Sequence, residues 1–459
     1  MEGTRRSRPA DAGALVPPRA AVAAALAAHG LRGARVLVAL SGGRDSIALL
    51  DAAAAVAPQA GVALVACHVH HGLSAHAEAW SAFCADAAAR CGIPLVIDRV
   101  SVTPSRRDGV EAAARRARYA ALEACAHANG AAAVLLAHHQ DDQAETLLLQ
   151  LVRGAGPRGL AAMPRARVDR GIVWLRPWLD LPRATLEAYG AARALAFVDD
   201  DSNADARYRR NALRQAVVPA LRGLAPGYPA TLARAAAHQA EAAELLHVLA
   251  AADAARWYDG RTLARAALRE LPELRARNVL RWFLHERGLP PPSTARFDAL
   301  FAQLRDAAPD AAVRVRHAGC EIGIHRDHIH AHAPAPPRFE ARWSGAEPLV
   351  LPHGALSIDV DGGDGIDLAR LFAADVVVRA RSGGERMRLD AAAPARALKS
   401  LLRDAAVTPW DRASLPLVFA NGTLAVVPGI GVDPAFRVAA GTPGGSLVWS
   451  PRPGPAPVA

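Results

Sequence analysis

Ser41, Gly42, Gly43, Arg44, Asp45 and Ser46 follow the apolar run VLVAL and precede the apolar-periodic IALL. Those residue types, in that order, can hold a phosphate. Two adjacent glycines lack a Cβ, so the backbone can turn sharply and come close to an anion. The N–H groups of the turn and of the helix behind it point at that anion, with the helix dipole in support. Ser41 and Ser46 add hydroxyl donors, and Ser46 or Asp45 can also cap the helix. The string is not a Walker A loop, because no Gly-Lys-Ser/Thr follows, and G-x-G-x-x-G is absent too. An ordinary strand–helix turn also favours Gly and Asp. The complete S-G-G-x-D-S string between a strand and a helix favours the phosphate site.

The segment 135–163 (LLAHHQDDQAETLLLQLVRGAGPRGLAAM) is the next richest. His138, Asp142 and Glu145 stand at i, i+4 and i+7, a spacing that predicts one shared helical face. An imidazole and two carboxylates at the mouth of a phosphate site could hold Mg²⁺, bind an ammonium or assist proton transfer. Hard oxygen ligands suit Mg²⁺, whereas one His with two acids and no Cys suits zinc poorly. A solvated helix face is the competing reading. The double histidine at a strand end and the basic, glycine-rich RGAGPRGL loop weigh against it. In residues 111–122, Arg115 and Arg118 lie one turn apart beside Tyr119, and Arg118 could neutralise phosphate charge. In residues 197–221, three aspartates abut Ser202 and Asn203, and Arg207, Arg209, Arg210 and Arg214 then line a helix.

These residues need a scaffold, and the surrounding pattern supplies one. Strand-like runs at 35–40, 62–69, 95–100, 132–137 and 172–175 alternate with Ala-rich helical stretches near 45–57, 76–91, 110–129 and 141–153. That alternation predicts an α/β fold, a doubly wound parallel sheet with ligands beyond the carboxyl ends of its strands. Residues 226–310 read as helical and 313–333 as a short hairpin. The Pro-rich 333–338 reads as a semi-rigid linker. A β-containing α+β domain follows, in which Asn421-Gly422 between LVFA and TLAVV is a strong hairpin signal. The tail from Pro451 reads as disordered. The expected domains are therefore 1–222, 223–335 and 345–450.

The chain has 459 residues and a formal net charge of +10, carried almost wholly by arginine, with Lys399 its one lysine. An excess of guanidinium without a spanning segment suggests a polyanionic partner such as nucleic acid. No apolar run reaches the ~18 residues of a membrane helix, so no membrane role is expected. The five cysteines form no CxxC pair, as expected of reduced thiols. The basic, Ala-rich N-terminus superficially resembles a targeting peptide. It runs through Arg32 and Arg35 into the first strand, however, so a short helix preceding that strand is expected.

The first string resembles the pyrophosphate loop of the ATP pyrophosphatases, and the whole set resembles one family among them, the bacterial tRNA(Ile)-lysidine synthetases. SGGRDS (41–46), HVHHGLS (68–74), ARRARY (114–119), AHHQDDQAET (137–146), RGAGPRGL (153–160) and DDDSNADARYRRNALR (199–214) follow that family in order and spacing. RARSGGERMRL (379–389), LKSLLRD (398–404) and PLVFANGTLAVVPGIGV (416–432) resemble its C-terminal tRNA-contacting domain. The resemblance implies a cytoplasmic PP-loop ligase with ATP as co-substrate and Mg²⁺ as cofactor. L-lysine and tRNA(Ile) with a CAU anticodon are the implied partners, and a homodimer is left open. The implied reaction adenylates the wobble cytidine and then displaces AMP with free lysine. It also implies that residues 41–46 hold the ATP phosphates, that Asp45 and Asp142 face the metal, and that Asp142 and Glu145 receive the lysine ammonium. His138 matches a position tied to ATP and lysine handling. Arg118, Asn203 and Arg214 match positions near the activated base. Residues 379–412 hold eight basic residues against four acids, an excess suited to tRNA phosphates. A tRNA thiolase, which needs suitably placed cysteines, and a non-catalytic RNA-binding protein are the rival readings.

Overall fold

The computed structural model describes residues 12–72, 76–101, 110–199, 209–308, 313–334, 337–360, 365–439 and 442–451. The chain divides into two compact units at Leu246/His247.

The first unit begins with α1 (Ala12–Ala28), β1 (Arg35–Ala39), α2 (Arg44–Ala60), β2 (Ala63–His70), α3 (Ala77–Arg90) and β3 (Leu95–Arg99). It continues through α4 (Val110–Ala128), β4 (Ala131–Leu135), α5 (Gln140–Leu151), α6 (Pro157–Leu160), β5 (Ala166–Asp169), β6 (Ile172–Leu175) and α7 (Arg183–Ala192). α8 (Arg209–Ala212), a π-helical turn (Leu213–Val217), α9 (Val218–Leu224) and α10 (Tyr228–Ala254) follow, and α10 runs on into the second unit. The sheet order is β3-β2-β1-β4-β6-β5. Every pairing is parallel except β5 with β6.

Side chains alternate across a strand, so each strand feeds two cores. Val36, Val38, Ala66, Ala133 and Leu135 join Val22 and Leu26 of α1, the apolar face of α2, and Leu186 and Tyr189 of α7. Leu37, Val65, Cys67 and Val134 point the other way, onto Leu122, Cys125 and Ala126 of α4. This is the doubly wound sheet that the alternating pattern predicts. The chain leaves β1 towards β2 and β3, then returns to pair β4 on the opposite side of β1. The topological switch therefore lies between β1 and β4, where a crevice opens at their carboxyl ends.

The edge strand β5 is not legible from the sequence, because its four residues include Arg167 and Asp169, which pair with each other at 2.7 Å. The expected N-terminal helix is present as α1. It is tied down by Trp178 Nε1, which donates to the Pro18 carbonyl at 2.9 Å.

In the second unit, α11 (Ala266–Glu270), α12 (Glu273–Glu286) and α13 (Thr294–Asp306) pack with an antiparallel sheet. Its order is β7-β10-β9-β8, from β7 (Leu263–Ala264), β8 (Arg314–His317), β9 (Cys320–His325) and β10 (His328–His332). Where a hairpin was expected there are three strands joined to a fourth. Farther on lie β11 (Glu340–Arg342), β12 (Leu349–Leu351), β13 (Gly354–Asp359), α14 (Leu368–Phe372), β14 (Val376–Arg379), β15 (Arg386–Met387) and β16 (Arg396–Ala397). α15 (Leu398–Asp404), α16 (Asp411–Ser414), β17 (Leu417–Ala420), β18 (Thr423–Val427), β19 (Gly431–Val432) and β20 (Ser446–Pro451) complete the α+β region. Asn421 and Gly422 take φ of +47° and +77°, and Ala420 faces Thr423. That is the two-residue hairpin the sequence calls for. The linker reading at 333–338 falls partly outside the described residues; of the tail expected to be disordered from Pro451, Pro451 itself ends β20 and 452–459 lie outside them.

One buried charge helps to fasten the first unit. Asp51 on α2 accepts from Tyr189 Oη at 2.5 Å and from Arg193 Nη2 at 2.9 Å. Burial alone would raise its pKa, but Arg193, Tyr189 and Arg19 outweigh that and hold it below the ordinary 3.8. A depressed carboxylate adds stability above its unfolded pKa and loses it as pH falls through the folded value. Asp51→Ala is expected to cost about 2–3 kcal/mol at neutral pH. In urea titrations, the gap from wild type should narrow as pH drops below 3.8. A neutral-pH gap within about 0.5 kcal/mol, the range of an ordinary surface change, would remove this fastening role.

Candidate active site

At the switch point a cavity of about 470 Å³ opens, lined among others by Ser41, Gly43, Arg44, Asp45, Ser46, His68, Arg118, His138, His139, Asp142, Asp199 and Arg214. Five of the separate sequence motifs thus meet in one place. Gly42 and Glu145 are not among the lining residues, and Asn203 lies outside the described residues.

The phosphate loop starts where β1 ends. Gly42 takes φ +87°, and a Cβ there would approach Cys84 Sγ at 3.2 Å, so only glycine fits comfortably. Gly43, not Ser46 or Asp45, occupies the N-cap of α2, and no side chain caps the helix. The Ser46 hydroxyl instead donates to the Gly43 carbonyl at 2.9 Å and accepts from Ser41 N at 3.2 Å. The expected side-chain cap is therefore absent, because the serine is used to brace the turn. The first-turn amides have no intrahelical acceptor, and the residues that carry them, Arg44, Asp45 and Ser46, line the cavity.

The connection after β4 departs from the spacing argument. α5 begins at Gln140, so His138 precedes the helix and does not share a helical face with Asp142 and Glu145. His138 reaches the cavity from the strand–helix connection instead. Loss of water around its ring, with help from Arg176, Arg115 and Arg210, pulls its pKa down to about 3 against the pull of Asp142. It is a neutral imidazole at physiological pH. The histidine that engages the carboxylates is His139. Its Nε2 lies 3.6 Å from Asp45 and 3.5 Å from Asp142, and its Nδ1 lies 3.7 Å from Asp141. Burial lowers the pKa of His139, but these carboxylates outweigh burial and raise it overall.

Nearly every polar residue of this motif has a distinct partner. The backbone N–H of His139 donates to Asp142 Oδ2 at 3.0 Å, the reach-back half of a capping box. Asp141 accepts from Arg183 N at 3.0 Å, and Gln143 clips the loop after α6 by bonding both N and O of Met163. Asp142 and Glu145, 8% and 5% exposed, are held by two arginines. Arg210 donates to Glu145 Oε2 at 2.6 Å and to Asp142 Oδ1 at 2.8 Å. Arg214 donates to Glu145 Oε1 at 2.6 Å and approaches Asp142 Oδ1 at 3.4 Å. Burial would raise the pKa of Asp142, yet His139, Arg210 and His138 together lower it. Arg214 sits in the π-helical turn, a local widening of the helix often found at functional sites.

Arg210, Arg183 and Phe197 did not stand out as site residues in the sequence. A signal for Arg210 was present, since carboxylates three residues apart on one helix match arginines four apart on another. The acidic turn and Arg-rich helix do converge on the cavity, through Asp199 and Arg214.

Among the described residues no cluster of three or more His, Cys, Asp or Glu side chains could by itself hold a metal ion. Mg²⁺ is commonly bound by one or two carboxylates together with substrate phosphates, which does not require such a cluster. Asp45 fits that mode, because its buried Oδ1 has no hydrogen-bond partner beside the phosphate loop. Both oxygens of Asp142 are already engaged, by the arginines and by His139 N–H.

A parallel sheet bearing this glycine turn at its switch point defines a PP-loop ATP pyrophosphatase. The model of the PP-loop domain matches residues 19–221. Models of the TilS substrate binding domain and the TilS substrate C-terminal domain match 263–330 and 376–449. The chain is 46% identical to the tRNA(Ile)-lysidine synthase of Ralstonia nicotianae, over 91% of this chain and 93% of that one. It is 42% identical to that of Burkholderia pseudomallei (91% and 93% covered) and 39% identical to that of Nitrosomonas europaea (92% and 94%). The chain belongs to the tRNA(Ile)-lysidine synthase family.

The charge quartet is testable. Arg210→Met leaves two buried carboxylates sharing one guanidinium and should cost about 2–4 kcal/mol. Adding Glu145→Gln should recover part of that loss, a coupling that a double-mutant cycle reads directly. Additive losses would mean that the quartet does not act as a unit.

Proposed function

We infer that the chain is an ATP-dependent ligase that joins free lysine to the wobble cytidine of a tRNA(Ile) with a CAU anticodon. The observation that carries this reading is the meeting of the phosphate loop, Arg118 and the Asp142 carboxylate in one cavity, in a chain of this family.

The chemistry follows from the problem posed. A ring carbonyl carbon is a poor electrophile with no leaving group. In the first step the 2-keto oxygen of cytidine attacks the α-phosphate of ATP, and the bond to pyrophosphate breaks. In the second, the lysine ε-amine, having shed a proton, attacks the ring carbon and AMP departs with the former keto oxygen. Lysidine, AMP and pyrophosphate result, which changes codon reading from AUG to AUA.

Residues 41–46 would cradle the phosphates, and the first-turn amides of α2 would meet the departing pyrophosphate. Asp45 would hold Mg²⁺ through its unpartnered oxygen, and the ion would supply neutralisation of phosphate charge. Arg118, which lines the cavity, would stabilise charge growing on the α-phosphate. Asp142, which lines the cavity, offers the lysine ammonium a carboxylate, while Glu145 fixes Arg210 and Arg214 at its back. Neutral His138 would accept a hydrogen bond at the cavity wall. Asn203 is proposed near the activated base on the strength of the motif alone.

The domain division 1–222, 223–335 and 345–450 remains the working partition, with the last two proposed to carry the tRNA. No helix among the described residues is long and apolar enough to cross a membrane. The cytoplasm, where free tRNA and ATP meet, is the proposed compartment.

The decisive assay is incorporation of radiolabelled lysine into a CAU-anticodon tRNA(Ile) transcript with ATP and Mg²⁺, with a wobble-uridine transcript as control. Label is expected only with cytidine and only with ATP, and Asp45→Ala should abolish it while leaving tRNA binding largely intact. Absence of label in the wild type would favour another base-modifying pyrophosphatase. If tRNA phosphates meet the basic rim at 379–412, affinity should fall by orders of magnitude between about 50 and 200 mM salt. Salt-independent binding would remove the rim's proposed role.

A further inference from the structure

One feature of the cavity is not used by the phosphate or carboxylate chemistry. Phe197 lines it with its apolar side chain 41% exposed. The ring is not loosely placed. The next residue, Val198, donates its N–H to the Gly42 carbonyl at 2.9 Å, so the backbone beside Phe197 is bonded to the phosphate loop itself. The Arg44 guanidinium lies over the ring, 4.7 Å from its centroid. Arg44 is in turn paired with Glu187, which Arg183 braces at 3.2 Å. A planar cation thus lies over an aromatic ring, both held on the cavity wall. By contrast Tyr119, also on that wall, is spent on internal packing. Its ring sits 5.2 Å from buried Trp174, and its hydroxyl accepts from Arg115 at 3.2 Å.

An exposed, oriented aromatic ring backed by guanidinium is the kind of surface on which unpaired bases stack. From these contacts we propose that Phe197, held by Arg44, is the stacking face for a nucleobase in this cavity. The proposal rests on the reading above, in which two bases must be accommodated, the adenine of ATP and the unstacked cytosine. Both offer the same flat π-face, and the binding experiment separates them. Glu187 acts through Arg44 as a positioning residue.

The test uses the full-length enzyme with Phe197→Ala, Phe197→Leu and Phe197→Tyr. ATP affinity is measured by equilibrium dialysis without tRNA, and tRNA KM and kcat are measured separately at saturating ATP. Loss of a stacked ring should weaken one of these by about 5- to 150-fold. A loss confined to ATP affinity assigns adenine, and one confined to the tRNA parameters assigns cytosine. Phe197→Tyr should stay near wild type in both, and Phe197→Leu, which keeps apolar bulk without the ring, should resemble Phe197→Ala. The ring is partly exposed, so unchanged melting temperatures are expected. Phe197→Leu carries the test if the alanine variant fails to fold. The proposal is overturned if Phe197→Leu matches wild type in both arms, or if Phe197→Tyr is as impaired as the others. Failure of the wild type to incorporate lysine would instead strike the function above, while the ATP arm would still report on Phe197.

Discussion

Two carboxylates buried within one turn of each other demand cations beside them. Asp142 and Glu145 impose this constraint on the catalytic unit, and Arg210 and Arg214 satisfy it. Coulomb attraction in a partly dry setting is strong, but so is the cost of removing four charges from water. The quartet is best understood as a specifier of position: it fixes where α8 and its π turn dock against α5. That docking places Arg214 on the cavity wall and orients the Asp142 oxygen shared with the arginines. Asp142 also closes the start of α5 through the His139 amide, so the helix terminus and the charge cluster depend on the same side chain.

Much of this arrangement was legible beforehand. Period-two and helical alternation are consequences of side-chain direction, and they located β1 to β4, β6 and their helices to within a residue or so in most cases. The phosphate loop was readable because few residue types tolerate so tight a turn at φ +87°. What failed was one step of helical phase. Placing His138 on the helical face extended the spacing beyond the helix expected near 141–153, whereas the extended backbone of His139 separates His138 from α5. Ser46 was read as a possible cap because serine usually caps, but it is bonded back to the Gly43 carbonyl. Phe197 was missed for another reason, and Arg210 was named on its helix but not matched to its carboxylates. Their partners lie far along the chain, and no local periodicity reports a contact between residues 65 or 153 positions apart.

Chemically, the site places contrasting protonation states side by side. His138 is stripped of water and neutral, while the adjacent His139 is drawn towards its charged form by three aspartates. One backbone step separates them. The division arises because the connection turns one ring to the cavity wall and the other into the acidic pocket, so burial dominates at the first and partner charge at the second.

The N-terminal helix carries a consequence for synthesis. α1 is made long before α7, yet Arg19 bonds Tyr189, 170 positions further along the chain, and Pro18 waits for Trp178. At about 5–20 residues per second, the ribosome needs on the order of ten seconds or more to supply those partners. Val22 and Leu26, destined for full burial, remain without their α7 neighbours throughout that interval. Until α7 emerges, the apolar face of α1 has only α2 and the early strands as neighbours, so its packing is completed last from the carboxyl side of this unit.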